Sequence, residues 1–363
     1  MDYKISKNIN VAQVVYSVLD IGGAEKVAID LAEILEEKIN NSSIFIINNK
    51  EKVNFYIKKT KVISCYNKYN LKIFKLYNFV KKVKKNKINI LHAHNLNPLI
   101  YSIVAYFFCN NLKIVFHDHH PVNKHKWNFF IKLISRIVVN RWITVSNEIM
   151  DSAKKNINPK NLYYIDNPVN SDKYYFINNV KEDKILRFAI VANYRIAKNH
   201  KLLIDTLTNQ KISTEKVEFH CFGLYRNSDL GQTLHKNIKK SGLQEKIILN
   251  DSSNDIPKLL DRYDAGLLVS NFEGLPISLL EYMSKGLPVI MPDVGQCKSL
   301  VKNADCGMVF EKDNQQSFAF TLNNFIKNKD KWKNWGLNAR QHIKKNHSLD
   351  SFSEKILKIY LEN

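Results

Sequence analysis

Glu273-Gly-Leu-Pro-Ile-Ser-Leu-Leu-Glu281 sets two carboxylates eight positions apart around a glycine and a proline. Pro276 suits the first turn of a helix, where a missing N–H costs nothing. Gly286 suits the position that ends the same helix, and Leu287-Pro-Val-Ile-Met291 follows as a short apolar strand. Glu273 is thus expected in the loop before a helix, and Glu281 about a turn and a half inside it. Between them the amides of Ile277, Ser278 and Leu279 are expected to point out of the helix N-terminus. That end carries partial positive charge and favours a phosphate. One carboxylate on each side of an anion site suits a ligand with hydroxyls at both ends and phosphates in the middle, as in a nucleotide-sugar.

Outward from this stretch, apolar runs alternate with helical patterns twice. In the first half, strands are expected at 11–18, 44–47, 62–64, 88–92, 113–116 and 142–145. Helices are expected at 24–37, 71–85 and 148–155. After the polar stretch 178–184 the pattern restarts. It gives strands at 186–192, 217–222, 246–249, 265–270 and 288–291, with a helix from about Lys201; the last two strands are expected to complete the second sheet. Such alternation implies mostly parallel sheets covered by helices, in an α/β fold of two doubly wound domains that hold ligand at the carboxyl ends of their strands. The expected domains are 1–175 and 183–345, followed by a terminal amphipathic helix within 346–363.

At 363 residues and 45 % hydrophobic content, two domains of ordinary size can each bury a core. No apolar run is long enough to cross a bilayer, and Val11–Val18 is too short and wrongly flanked for a signal peptide, so a cytoplasmic protein is expected. Five scattered cysteines without a C-x-x-C pattern read as reduced thiols. The net charge of +21 suits an anionic membrane face or nucleic acid. Lys68–Lys87 holds eight lysines and no acid, and Asn123–Arg141 holds five basic residues and no acid. In the latter, Trp127, Phe130, Ile131, Ile134, Ile137 and Val138 are interleaved. The reading here is that the apolar residues pack on the first sheet while the lysines meet lipid. No recognised nucleic-acid module is present.

The Glu273–Glu281 segment, with its continuation Lys285-Gly-Leu-Pro-Val-Ile290, closely resembles the E-x7-E motif of the retaining glycosyltransferases called group 1 or family 4. Five further stretches share that resemblance. Gly22-Gly23-Ala24-Glu25 is similar to the family's N-terminal loop, which lines the reaction centre. Asn193-Tyr-Arg195-Ile-Ala-Lys198 is similar to its G-R-L-x-x-x-K-G loop, with Lys198 on the lysine and Asn193 on the arginine position. Arg195, two residues later, is then the available cation. Phe222-Gly223 resembles the turn near the donor. Asp166-Asn-Pro-Val-Asn170 resembles the family's domain-junction stretch. Asp293-Val-Gly295-Gln296 resembles a D-x-G-G loop with its second glycine replaced.

The resemblance implies a GT-B architecture, with two Rossmann-like domains facing across a cleft and the terminal helix crossing back to the first. It implies metal-independent retaining transfer from a nucleoside-diphosphate-sugar, taken here as a UDP-sugar. Glu281 would hold the ribose. Lys198, Arg195 and the amides after Pro276 would bear the diphosphate, with Gly22, Gly23 and Gly223 lining the donor site. Glu273 would contact the sugar. The family places a histidine after the strand at 113–116; His119 fits best by position and His117 second. Alternating residues share a strand face, so His92/His94 and His117/His119 form pairs in which zinc is conceivable. No Cys or Glu accompanies them at ligand spacing, and no metal or cofactor is expected. His92, His94 and His120 read as packing or hydration. The expected acceptor is a glycan or lipid-linked glycan of a bacterial surface polysaccharide, met at the inner face of the plasma membrane. The alternatives are a GT-B-fold sugar-nucleotide epimerase, which needs a different set of acids, and a basic membrane- or nucleic-acid-binding protein.

Overall fold

The computed structural model describes residues 6–18, 22–48, 60–66, 71–119, 129–175, 185–210, 212, 216–223, 229–253 and 255–362. The polar stretch 178–184, Lys68, His120 and Trp127 lie outside them. The chain divides into two compact units, residues 1–167 with 349–363, and residues 168–348. It leaves the first unit at Asn167–Pro168, inside the Asp166–Asn170 stretch, and returns at Ser348–Leu349. Within the second unit these two passages run side by side, with the Val169 amide donating to the His347 carbonyl at 3.0 Å.

The first unit contains β1 (Ser6–Val15), α1 (Gly23–Leu35), β2 (Ile39–Ile46), β3 (Lys61–Ser64), α2 (Lys72–Lys85), β4 (Ile90–His94), α3 (Leu96–Phe108), β5 (Lys113–Asp118), α4 (Phe129–Val138), β6 (Arg141–Thr144), α5 (Asn147–Asn156) and β7 (Leu162–Tyr164). Its sheet is parallel, in the order β3-β2-β1-β4-β5-β6-β7. Successive strand residues face opposite sides. Val14 therefore packs with Phe45 and with Phe79 and Val83 of α2, whereas Val15 packs with Ala28, Ile29 and Ala32 of α1.

The second unit contains β8 (Leu186–Val191), α6 (His200–Asn209), β9 (Val217–Phe222), α7 (Asp229–Lys240), β10 (Ile247–Asn250), α8 (Ile256–Leu259), β11 (Ala265–Leu267), α9 (Ile277–Lys285), β12 (Val289–Pro292), α10 (Cys297–Ala304), β13 (Gly307–Phe310), α11 (Gln315–Lys327) and α12 (Trp332–Asn346). Its parallel sheet has the order β10-β9-β8-β11-β12-β13. Phe188, Phe219, Phe325 and Trp332 stack at its centre. The last helix, α13 (Leu349–Leu361), belongs to the first unit, where it packs against α1.

Three expectations need correction. The second sheet is not complete at Met291: β13 adds an edge strand, and its Gly307 packs on β12 where a Cβ would come within 1.9 Å of the Val289 carbonyl. Helix α3 escaped the periodicity reading because its sequence is apolar almost throughout, so no polar face marks a helical repeat. The apolar residues of α4 do not all pack inward. Ile131, Ile134 and Val138 meet the core, but Phe130 and Ile137 are each 70 % exposed. Conversely, Lys75 of α2 is buried and donates to Asn48 Oδ1 at 2.6 Å, so it cannot face lipid. No helix among the described residues is long and apolar enough to cross a membrane.

Candidate active site

Both sheets reverse strand order at a switch point, between β1 and β4 in the first unit and between β8 and β11 in the second. Loops leaving such strands cannot stay side by side, and the crevice they open is where ligands bind in open α/β sheets. The loops holding Gly22–Glu25, Asn193–Lys198 and Glu273–Pro276 leave β1, β8 and β11, three of these strands.

In the second unit the loop after β8 carries Asn193–Lys198, and the loop after β11 carries Glu273–Pro276. Pairing of β8 with β11 brings the two loops together. Lys198 Nζ donates to Glu273 Oε1 at 2.6 Å, with the carboxylate almost fully buried and the lysine partly so. Asn271 N donates to the Ala197 carbonyl at 2.9 Å, and Asn199 Nδ2 to Asn271 Oδ1 at 2.8 Å, so the loops are also joined beside the ion pair. Gly223, at the end of β9, abuts the same loop. A Cβ there would come within 2.7 Å of the Ala192 carbonyl and 2.9 Å of Asn193 Cα. Gly295 has φ +50°, and a Cβ would meet the Glu273 and Gly274 carbonyls at 2.3 Å. It lets the loop after β12 close on the Glu273 loop, where Gln296 N donates to the Gly274 carbonyl at 2.9 Å. Arg195 is exposed and makes no side-chain bond to Glu273, Lys198 or Glu281 among the described residues.

Pro276 is the extended residue preceding α9, not a member of its first turn. The Leu279 amide, expected free, donates to the Pro276 carbonyl at 3.1 Å. The helix therefore presents the amides of Ile277 and Ser278, which have no partner among the described residues. Gly286 ends α9 in the left-handed region, φ +80°. Glu281 is 3 % exposed and accepts a hydrogen bond from the Tyr174 hydroxyl at 2.8 Å. Tyr174 is itself held. Arg340 donates to its carbonyl at 2.7 Å and to that of Ser284 at 2.6 Å, and Lys285, buried and ion-paired with Asp261, donates to the Tyr175 carbonyl. Tyr174, Arg340 and Asp261 were not found from the sequence. Only Tyr174, a few residues past the Asp166–Asn170 motif, had any signal near it.

In the first unit, Gly22 precedes α1, and its amide is already taken by Glu25 Oε2 at 3.0 Å in a capping box, while Gly23 is the exposed first residue of the helix. The histidines of β4 and β5, His92, His94 and His117, collect into a stack with His119 just past β5. His92, His94 and His117 are buried and His119 is half-buried, with centroids of neighbouring rings 4.3–5.5 Å apart. Burial pushes the His92 imidazole down to about 3 and holds His94 and His117 well below the usual histidine range, so all three are neutral at physiological pH.

Neutral rings must each supply one donor and one acceptor, and their partners assign them. With the Gln13 amide NH2 donating to the Tyr360 hydroxyl at 3.1 Å, its Oε1 accepts from His94 Nε2 at 2.9 Å. His94 Nδ1 then accepts from His119 Nε2 at 3.2 Å, and Tyr360 donates to His92 Nδ1 at 2.6 Å. The chain of bonds runs one way, from His119 through His94 and Gln13 to Tyr360 on α13. It leaves Nδ1 as the acceptor nitrogen of a neutral His119. Nitrogens of His92, His94 and His117 come within 4.8 Å of one another, a spacing that would admit a metal ion. Both His94 nitrogens are engaged, so an ion would have to displace Gln13 or His119 to use that ring.

Two sequence profiles match the chain. The one described as "Glycosyl transferases group 1" covers residues 171–342, and "Glycosyltransferase Family 4" covers residues 21–173. Over 270 residues, 68 % of either chain, the sequence is 25 % identical to the UDP-Gal:alpha-D-GlcNAc-diphosphoundecaprenol alpha-1,3-galactosyltransferase of Escherichia coli. Over 129 residues, 35 % of this chain and 37 % of the other, it is 22 % identical to the lipopolysaccharide core biosynthesis mannosyltransferase LpsB of Rhizobium meliloti. The fold is similar to that of Anabaena Alr3699/HepE, solved with UDP and glucose, at a TM-score of 0.81, 16 % identity, and coverage of 98 % of this chain and 100 % of that one. It is similar to TarM of S. aureus at a TM-score of 0.79 and 14 % identity, covering 98 % and 100 %. With two Rossmann-like parallel-sheet units of the GT-B class and profile matches that together run from residue 21 to 342, the chain belongs to the group 1, family 4 glycosyltransferases.

Proposed function

We propose that the protein transfers a hexose, with retention of anomeric configuration, from a UDP-sugar to a lipid-linked glycan in the assembly of a bacterial surface polysaccharide. The observation that carries this reading is the convergence of Lys198, Glu273, the open start of α9 and the buried Glu281 in one unit. A nucleoside diphosphate-sugar needs those parts in that order: an acceptor for ribose hydroxyls, donors for two phosphates, and a carboxylate for the sugar. Glu281 is assigned to the ribose, with Tyr174 fixing one carboxylate oxygen. Lys198, the Ile277 and Ser278 amides, and Arg195 from its exposed position stabilise charge on the departing diphosphate. Because these groups supply positive charge, the reading is metal-independent.

Glu273 is assigned to the sugar, and Lys198 would exchange this carboxylate for phosphate when donor binds. His119 is assigned to a sugar hydroxyl through Nδ1, and Gly22 and Gly23 to the reaction centre. The Escherichia coli relative's UDP-galactose donor and diphosphoundecaprenol-linked acceptor support UDP as the nucleotide and a lipid-linked acceptor, and the UDP held by the Anabaena structure supports the same nucleotide. Calorimetric titration with UDP, GDP and ADP, beside Glu281→Ala, tests the reading. UDP binding that is lost in the variant is expected. Failure of all three nucleotides to bind at millimolar concentration would overturn it.

A further inference from the structure

We propose that the starts of α2 and α4 form a docking surface for an anionic lipid bilayer, into which Ile73, Phe74, Tyr77, Phe129, Phe130 and Leu133 insert. Among the described residues, most large hydrophobic side chains left exposed lie on α2, α3 and α4. Exposure reaches 71 % at Ile73 and 72 % at Phe129. Single exposed hydrophobics need no explanation, but a gathering of them on adjacent elements marks an interaction site. Packing of α3 against both α2 and α4 makes the three helices neighbours on one face of the first sheet.

Topology divides these residues between two ends of the face: those at the starts of α2 and α4 lie at one end, and Tyr106, Phe107 and Phe108 at the end of α3 and Ile137 near the end of α4 lie at the other. Helix α2 ends four residues before β4 begins, and α4 two residues before β6 begins. Their ends therefore lie at the amino edge of the parallel sheet, and their starts lie toward its carboxyl edge. On α2 the exposed apolar residues occupy the start, and the exposed Lys81, Lys84 and Lys85 lie beyond them. The apolar starts thus share the sheet edge where His94 ends β4 and His119 follows β5.

Charge selects the occupant. Helices α2, α3 and α4 contain no Asp or Glu, while α2 exposes lysines and α4 exposes Arg136. A second copy of this face would set lysine against lysine, and interface cores are depleted of lysine. Apolar side chains rimmed by cations suit anionic lipid, which takes the hydrophobic groups into the acyl boundary and the cations among its headgroups. The inference uses the preceding reading only in taking the acceptor to be lipid-linked. It places the sheet edge that carries His119 toward the bilayer.

Flotation with phosphatidylcholine vesicles, with and without about 30 % phosphatidylglycerol, tests it at two salt concentrations. Wild type is expected to float with anionic vesicles, and to keep part of that binding at high salt because insertion is not screened. A variant with Phe129→Ser, Phe130→Ser, Ile73→Ser and Tyr77→Ser is expected to lose at least 10-fold in partitioning. Lys81→Gln with Lys84→Gln and Lys85→Gln is expected to abolish the salt-sensitive part alone. Hydrogen-exchange protection of β4 and β5, in the same unit as the substitutions, separates a misfolded variant from an informative one, and UDP titration is run on each preparation. The titration separates the two readings, because absent nucleotide binding counts against the donor site and absent flotation counts against this surface. Wild type that does not float, a serine variant that floats as well as wild type, or a concentration-dependent dimer that the serine substitutions abolish without any vesicle binding would overturn the proposal.

Discussion

The switch points of the two sheets share a topology and differ in chemistry. The second unit fills its crevice with full charges, the Lys198–Glu273 pair and Glu281. The first fills its own with neutral rings, whose buried nitrogens make a cationic form costly. A fixed charge attracts a charged ligand at long range, whereas a neutral imidazole discriminates by hydrogen-bond direction. The contrast suggests a division of labour, with the second unit binding the diphosphate and the first orienting hydroxyls. Substitutions on the two sides should therefore fail differently.

The largest effect is expected from Glu281→Ala. It removes the carboxylate and with it the acceptor of the Tyr174 hydroxyl bond, and nucleotide affinity should fall about 100-fold or more by calorimetry. Glu281→Gln should recover part of it. If His119→Ala weakened nucleotide binding as much, the division would be broken.

Lys198→Met should lower kcat by about 10²–10³ with little change in KM, the signature of a contact that strengthens as the leaving group gains charge. Glu273→Gln should reduce kcat similarly. Because the two residues are bonded, their double variant should fall short of the product of the single effects. Strict additivity would show that the ion pair is structural.

Acid should unfold the first unit before the second. Burial lowers His92 to about 3 and His200, in the second unit, to about 4, against 6.5 for an ordinary imidazole. Below pH about 6.5 the unfolded chain binds a proton that the folded chain refuses. Stability is thus complete above that pH and falls as pH drops, until the folded imidazole itself protonates. Each such group contributes a slope of about 1.4 kcal/mol per pH unit in that window. The first unit carries three such rings, counting His94 and His117, against His200 and His342, which burial also lowers, in the second. Hydrogen exchange between pH 7 and 5 should show β4 and β5 losing protection faster than β8 and β11.

Tyr360→Phe should have the smallest effect. It deletes the donor to His92 and the acceptor for Gln13, costing about 1–3 kcal/mol in urea denaturation, with UDP affinity unchanged. If the relay sets the His119 tautomer, the variant should also lower kcat more than it raises KM.

The sequence alone determined the alternation of elements and the helix of the E-x7-E segment with its end at Gly286, because apolar periodicity and turn residues are local properties. Lys198 was likewise legible from its motif. Its bond to Glu273 was not, since that depends on β8 and β11 being neighbours although 73 residues lie between the two strands. Helix α3 was missed for want of a polar face, and β13 because a four-residue edge strand has almost no pattern to read. Tertiary structure alone decided that Tyr174 holds Glu281, that α13 brings Tyr360 to a ring 268 positions earlier, and that Phe130 faces outward. Sequence fixes which chemical groups are available within a turn or a strand. Contacts between groups far apart in the chain arise only when the sheet order places their loops side by side.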